Sequence, residues 1–112
     1  MRGKQRHAPV FVDTFDLCQW LLGRLATDRR PLALALARTA LALLEAVTLA
    51  VKDRRREERI EWADERLQVL RVQLRLAGEL ALLSESQMLF ALEMADRIGR
   101  QLGGWWKSLA PL

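Results

Sequence analysis

Ala63-Asp-Glu-Arg-Leu67-Gln-Val-Leu70-Arg71-Val-Gln-Leu74-Arg75-Leu-Ala77-Gly-Glu-Leu-Ala81-Leu-Leu83 is the stretch on which the fold turns. It holds no proline, and its apolar residues recur at the three-and-four spacing of a helix. A wheel gives two apolar stripes. Ala63, Leu67, Leu70, Leu74, Ala77 and Ala81 form one; Val69, Val72, Leu76, Leu80 and Leu83 form another, about 140° away at 100° per residue. One stripe can face a bundle core, and the other needs a second partner. The preceding apolar run repeats the pattern, with Leu34, Leu41 and Leu49 opposite Leu36, Leu43, Val47 and Val51. A single bundle would leave these leucines in water, so the pattern predicts a homo-oligomer or a permanent apolar contact with another protein.

Working outward, Pro and Gly fall where helices should end. A first helix is expected from about Val10 to Ala26, with Phe11, Phe15, Cys18, Leu22 and Leu25 on its apolar face. Pro31 suits the first position of a second helix reaching about Lys52. The charged run Lys52 to Arg59 loses the apolar period and holds the turn. A third helix then spans about Glu57 to Leu83. Ser84-Glu-Ser-Gln87 reads as a capping box that starts a fourth, running to about Leu109. The expected architecture is all-α: an antiparallel up-down-up-down four-helix bundle over residues 10–109, about 30 to 40 Å long at ~1.5 Å per residue, preceded by a frayed basic tail over residues 1–9.

The 112 residues suffice for one core without metal or disulfide support. A net charge of +4, from 18 basic and 14 acidic residues, makes a mixed surface on which nucleic acid is allowed but not required. Cys18 is the only cysteine and fits a buried small hydrophobe in a reducing cytoplasm. The basic Met1–Pro9 segment lacks a signal-peptide pattern. Leu32 to Val51 is long enough to span a bilayer, but Arg38 and Glu45 share one face of it, as a soluble helix with a narrow polar stripe would have.

Catalytic chemistry finds no motif. His7 is the sole histidine, and no metal-ligand cluster, phosphate loop or nucleophile motif is present, so no cofactor, metal or small-molecule substrate is expected. Glu57, Glu61 and Glu65 share a face but lack the Glu-x-x-His pairs of di-metal bundles, and they are read as partners of neighbouring arginines. Gly99 and Gly103 read as a small step for close helix approach, with Trp105 and Trp106 covering the bundle end. Trp20 lies away from the Phe11/Phe15 face, placed to pack on a neighbouring helix or to meet a base or a partner.

The basic residues are the binding candidates. Arg71 and Arg75 flank the Leu67/Leu70/Leu74 stripe, while Arg100 and Lys107 share the polar face of the fourth helix. If the two helices are neighbours, the four cations can merge into one patch; salt bridges to Asp64, Glu93 or Asp96 are the structural alternative. Fifteen arginines against three lysines suit bidentate anion contacts, a bias that a GC-rich or thermophilic source also produces.

Leu67-x-x-Leu-Arg71-x-x-Leu-Arg75, followed by Ile98-Gly-Arg100-x-Leu-Gly-Gly-Trp105, closely resembles the accessory variability determinant (Avd) proteins of diversity-generating retroelements. The likeness covers roughly Trp62 to Leu109. Phe15-Asp-Leu17-x-x-Trp20-Leu-Leu and the Pro31 turn resemble the wider family, which includes four-helix proteins encoded in intervening sequences of bacterial 23S ribosomal RNA genes. The resemblance implies a non-catalytic bundle that assembles into a pentameric barrel. It would bind the element's reverse transcriptase and its template RNA or cDNA, and would support mutagenic retrohoming. By position, Arg71, Arg75 and Arg100 match the family's basic residues. The alternative is a structural or protein-interaction bundle of the intervening-sequence type with no direct nucleic-acid role.

Overall fold

A computed structural model describes residues 8–109. Four helices follow in order: α1 (Pro9–Arg24), α2 (Pro31–Lys52), α3 (Glu57–Glu79) and α4 (Glu85–Ser108). Each packs on its neighbour in the chain and α1 returns against α4, which is the up-down-up-down closure expected of short connections. The expected tail falls mainly on residues 1–7, outside the described residues; Ala8 is buried and Pro9 already opens α1.

Local chemistry explains the boundaries. Pro9 and Pro31 occupy first-turn positions, where a missing N–H costs nothing. In the α1–α2 turn Asp28 accepts from the Arg30 backbone N–H at 3.0 Å and from its guanidinium at 2.7 Å. The Arg30 side chain holds the Asp28 carboxyl below its ordinary range. The Asp53 carboxylate accepts from the Arg55 N–H and its carbonyl from the Arg56 N–H, which closes the α2–α3 turn between Lys52 and Glu57. At α4, Ser84 Oγ accepts the Gln87 N–H at 3.1 Å and Gln87 Oε1 accepts the Ser84 N–H at 2.9 Å, completing the capping box.

The α3–α4 corner departs from expectation. Ala81 has φ of 60°, in the left-handed region that an L side chain resists. The Leu82 N–H donates to the Ala77 carbonyl at 2.8 Å and the Ala81 N–H to that of Gly78 at 3.2 Å, the paired bonds of a Schellman ending. The helix therefore stops at Glu79. Ala81 leaves the core stripe for solvent, and Leu83, expected on the outer stripe, turns inward and is buried. Ala81→Gly relieves the Cβ penalty and is expected to stabilise the chain by about 1 kcal/mol, less glycine's larger chain entropy. Thermal unfolding monitored by circular dichroism should show a raised midpoint; a lowered one would contradict the left-handed corner.

The core draws one stripe from each helix: Val10, Leu17 and Leu21 of α1; Leu36, Leu43 and Val47 of α2; Leu67, Leu70 and Leu74 of α3; Ile98 and Leu102 of α4. For α1 this corrects the expected face in part, since Cys18 and Leu25 are buried as expected. Phe15 is 46% exposed, and Leu22 and Phe11 are half-buried, whereas Asp13, Thr14 and Leu17 point inward. Thr14 is accommodated by donating to the Val10 carbonyl at 2.7 Å. Cys18 donates its thiol to the Ala40 carbonyl at 3.0 Å, and burial pushes its pKa up to about 11, so it packs as an unreactive hydrophobe. Helix α2 has the length and hydropathy of a membrane span, yet its Ala33, Leu36, Ala40, Leu43, Ala46, Val47 and Ala50 lie in the bundle core.

Candidate nucleic-acid interface

Helices α3 and α4 are direct neighbours, the condition for their cations to share a surface. Arg71 sits in the seam between them. Its side chain is 32% exposed and its Nη1 lies 3.1 Å from Asp96 Oδ1, an ion pair to one of the three carboxylates anticipated. The guanidinium lies across Gly99, where an added Cβ would come within 2.6 Å of Arg71 Nη2 and 3.3 Å of Leu67 Cδ2. Gly99 thus makes room for a side chain, not for a helix backbone. Gly103, which has open space around it, carries no close approach. The Arg71 Nε is buried with no acceptor, so the guanidinium is only partly satisfied where it rests.

Arg75 follows one turn later on the same flank of α3, exposed and, among the described residues, without an ion pair. Arg100 stands one turn beyond Asp96 on the outer face of α4, also exposed and with no ion pair among the described residues. The Arg71–Gly99 contact sets the two helices in register, so Arg71, Arg75 and Arg100 fall within about two turns of each other at ~1.5 Å per residue. Lys107 stands apart, two turns further along α4. Between it and α3 lies a half-open groove lined by Ile60, Leu102, Gly103 and Trp106, with Glu61, Asp64 and Glu65 on its rim. Among the described residues the expected intrahelical pairs of Glu57, Glu61 and Glu65 do not form, and Arg56 pairs with Glu58 at 3.2 Å instead.

Two pairings lay beyond sequence reasoning, and a third decides between the roles that the sequence left open for Trp20. Asp13 is a buried carboxylate held by Arg97 Nη2 at 3.0 Å and Gln101 Nε2 at 2.8 Å, fastening α1 to α4 beside Arg100. Arg54, in the α2–α3 turn, stacks 4.5 Å from the Trp105 ring and brings a cation to the end of the bundle. Trp20 packs against Phe90 of α4 at 5.0 Å, with Arg24 on it at 5.0 Å, which settles its role as an interhelical contact. The charged run and the tryptophans were visible as residue types, but their pairing needed the bundle's register. Among the described residues no group of three or more His, Cys, Asp or Glu side chains could hold a metal ion.

The comparison with protein families matches the bAvd-like model over residues 21–109, most of the chain and all of α2, α3 and α4. The chain belongs to the bAvd-like family. No curated protein and no solved structure matches it. The match extends the likeness of the last two helices back through α2. An Avd-type identity and an all-helical small bundle together fit a non-catalytic protein of the retroelement-accessory kind.

Proposed function

We propose that this bAvd-like chain is a non-catalytic accessory factor of a diversity-generating retroelement. It acts in the cytoplasm as a homo-oligomer and binds the element's reverse transcriptase together with template RNA or cDNA through the α3–α4 cations. The observation that carries the reading is that Arg71, Arg75 and Arg100 stand within about two turns of one another along α3 and α4; among the described residues two of these guanidinium groups are exposed without carboxylate partners and the third is half-satisfied. Such groups meet phosphates bidentately. Self-association places a copy of the cluster on each subunit, and a long strand that touches several copies binds far more tightly than one copy could hold it.

The test removes the two unpaired cations. Arg75→Ala with Arg100→Ala is expected to keep the oligomeric mass and helicity, weaken binding of template RNA, and flatten the log–log salt dependence by about 1.4, at ~0.7 per single-strand phosphate contact. Fluorescence anisotropy across a salt series reads all of this. The Arg71–Asp96 pair favours a second reading, in which the arginines serve the bundle alone. Under that reading the double variant binds RNA and reverse transcriptase as the parent does, while Arg71→Ala lowers only the thermal midpoint.

A further inference from the structure

Four arginines pair with carboxylates among the described residues, and three of them do so through a hydrogen bond: Arg30 to Asp28, Arg56 to Glu58 and Arg97 to Asp13. Arg71 is the exception. It approaches Asp96 to 3.1 Å without donating such a bond, and its Nε is buried with no acceptor. A pair whose carboxylate is 54% exposed and whose guanidinium is 32% exposed holds weakly against water, while a buried N–H without an acceptor costs more than such a pair returns. The resting place itself depends on Gly99. Its missing Cβ is the space that Arg71 Nη2 fills, since a methyl group there would stand 2.6 Å from that atom. Helix α4 thus accepts a helix-weakening residue where that residue makes room for a guanidinium.

We propose that Asp96 and Gly99 form a seat that holds Arg71 back, and that a nucleic-acid phosphate takes the guanidinium from Asp96 as the strand binds. This rests on the nucleic-acid reading above and gives that surface its regulation. A phosphate accepts two parallel N–H bonds from the guanidinium fork, which the seat does not provide. No backbone has to move, because the side chain already reaches water and turns about its own torsions. Turned outward, the guanidinium joins Arg75, one turn further along α3, and Arg100, the chain neighbour of Gly99 on α4. The exchange uncovers the Asp96 carboxylate beside the bound strand, and this makes the surface selective. A single small anion gains little from displacing Asp96, whereas a phosphate backbone that also engages Arg75 and Arg100 offsets the loss. Asp96 is thus a positioning residue that tempers affinity, and Arg71 is the contact it withholds.

A double-mutant cycle on the full chain tests this, with a fluorescein-labelled single-stranded oligouridylate as the probe and its anisotropy as the readout. Asp96→Asn is expected to tighten binding about two- to fivefold, the affinity ratio that a half-exposed ion pair corresponds to. Glu93→Gln makes the same charge change one turn earlier on α4, at an exposed residue with no ion pair among the described residues, and should do less. Gly99→Ala alters no charge but evicts the guanidinium, and it should tighten binding with helicity unchanged. In an Arg71→Ala chain, Asp96→Asn should do no more than Glu93→Gln, and Gly99→Ala should do nothing. No gain from Asp96→Asn, or equal gains with and without Arg71, would overturn the seat; the nucleic-acid reading then stands if Arg75→Ala with Arg100→Ala still weakens binding. A parent chain that leaves the probe unbound at low salt removes that reading and the seat with it.

Discussion

Leu67→Ala is expected to lower the unfolding free energy by about 3 to 5 kcal/mol, the range for a leucine whose site cannot collapse. Leu67 is fully buried at the middle of α3, and its Cδ2 lies over Gly99, beneath the Arg71 guanidinium. No side chain on Gly99 can move into the void. Two helices closed at one end by a Schellman corner and a capping box cannot slide together to fill it. Urea titration should show a lower midpoint with an unchanged slope. Gly99→Ala alone must displace both Arg71 Nη2 and Leu67 Cδ2, and beside Leu67→Ala only the guanidinium has to move, so the second change is expected to cost less in the double variant, a non-additivity that neighbours sharing one cavity show. Full additivity would mean that the two side chains do not share that space.

Asp13→Ala is expected to cost about 2 to 3 kcal/mol and lower the thermal midpoint by roughly 10 °C for a domain of this size. Two bonds to one buried carboxylate are lost, and Gln101 keeps only its weaker bond to the Arg97 carbonyl, at 3.2 Å. The cost stays below that of a fully buried ion pair because the Arg97 side chain is 52% exposed and rehydrates. Calorimetry on the variant checks this. A shift of less than 2 °C would show that the carboxylate is incidental to the α1–α4 contact.

Much of the fold was legible from residue order because its signals are local. Pro31, the Ser84–Gln87 box and the α3 stripe depend on neighbours within a turn or two. What was missed depends on distance. The larger aromatic residues of α1 suggested a Phe11/Phe15 core face, yet Phe15 lies on an outer face and Phe11 packs only at the edge of the core, while the inner face is built from Val10, Leu17, Cys18 and Leu21 around a polar pair. A buried Asp13 reads as a surface residue until its partners, on the last helix, are known. Ala81 gave no warning of a left-handed conformation, which glycine or asparagine would have signalled. At the candidate site the residue types were readable, and Asp96 stood among the carboxylates named for Arg71. Only the register of α3 on α4 showed that Arg71 is engaged, that Arg75 and Arg100 have no ion pair among the described residues, and that Lys107 lies beyond the acidic groove.

The clasp between Asp13 and the Arg97/Gln101 pair spans 84 and 88 residues of chain. Hairpins α1–α2, α2–α3 and α3–α4 can each form from sequence neighbours soon after synthesis, but this contact waits for the last helix and closes a loop that takes in most of the described residues. Until α4 arrives, the Asp13 carboxylate lacks both of its partners and faces water where the last helix will lie. Completion of the polypeptide and locking of its tertiary structure thereby become one event, and a chain truncated before Arg97 has no means of imitating the finished bundle.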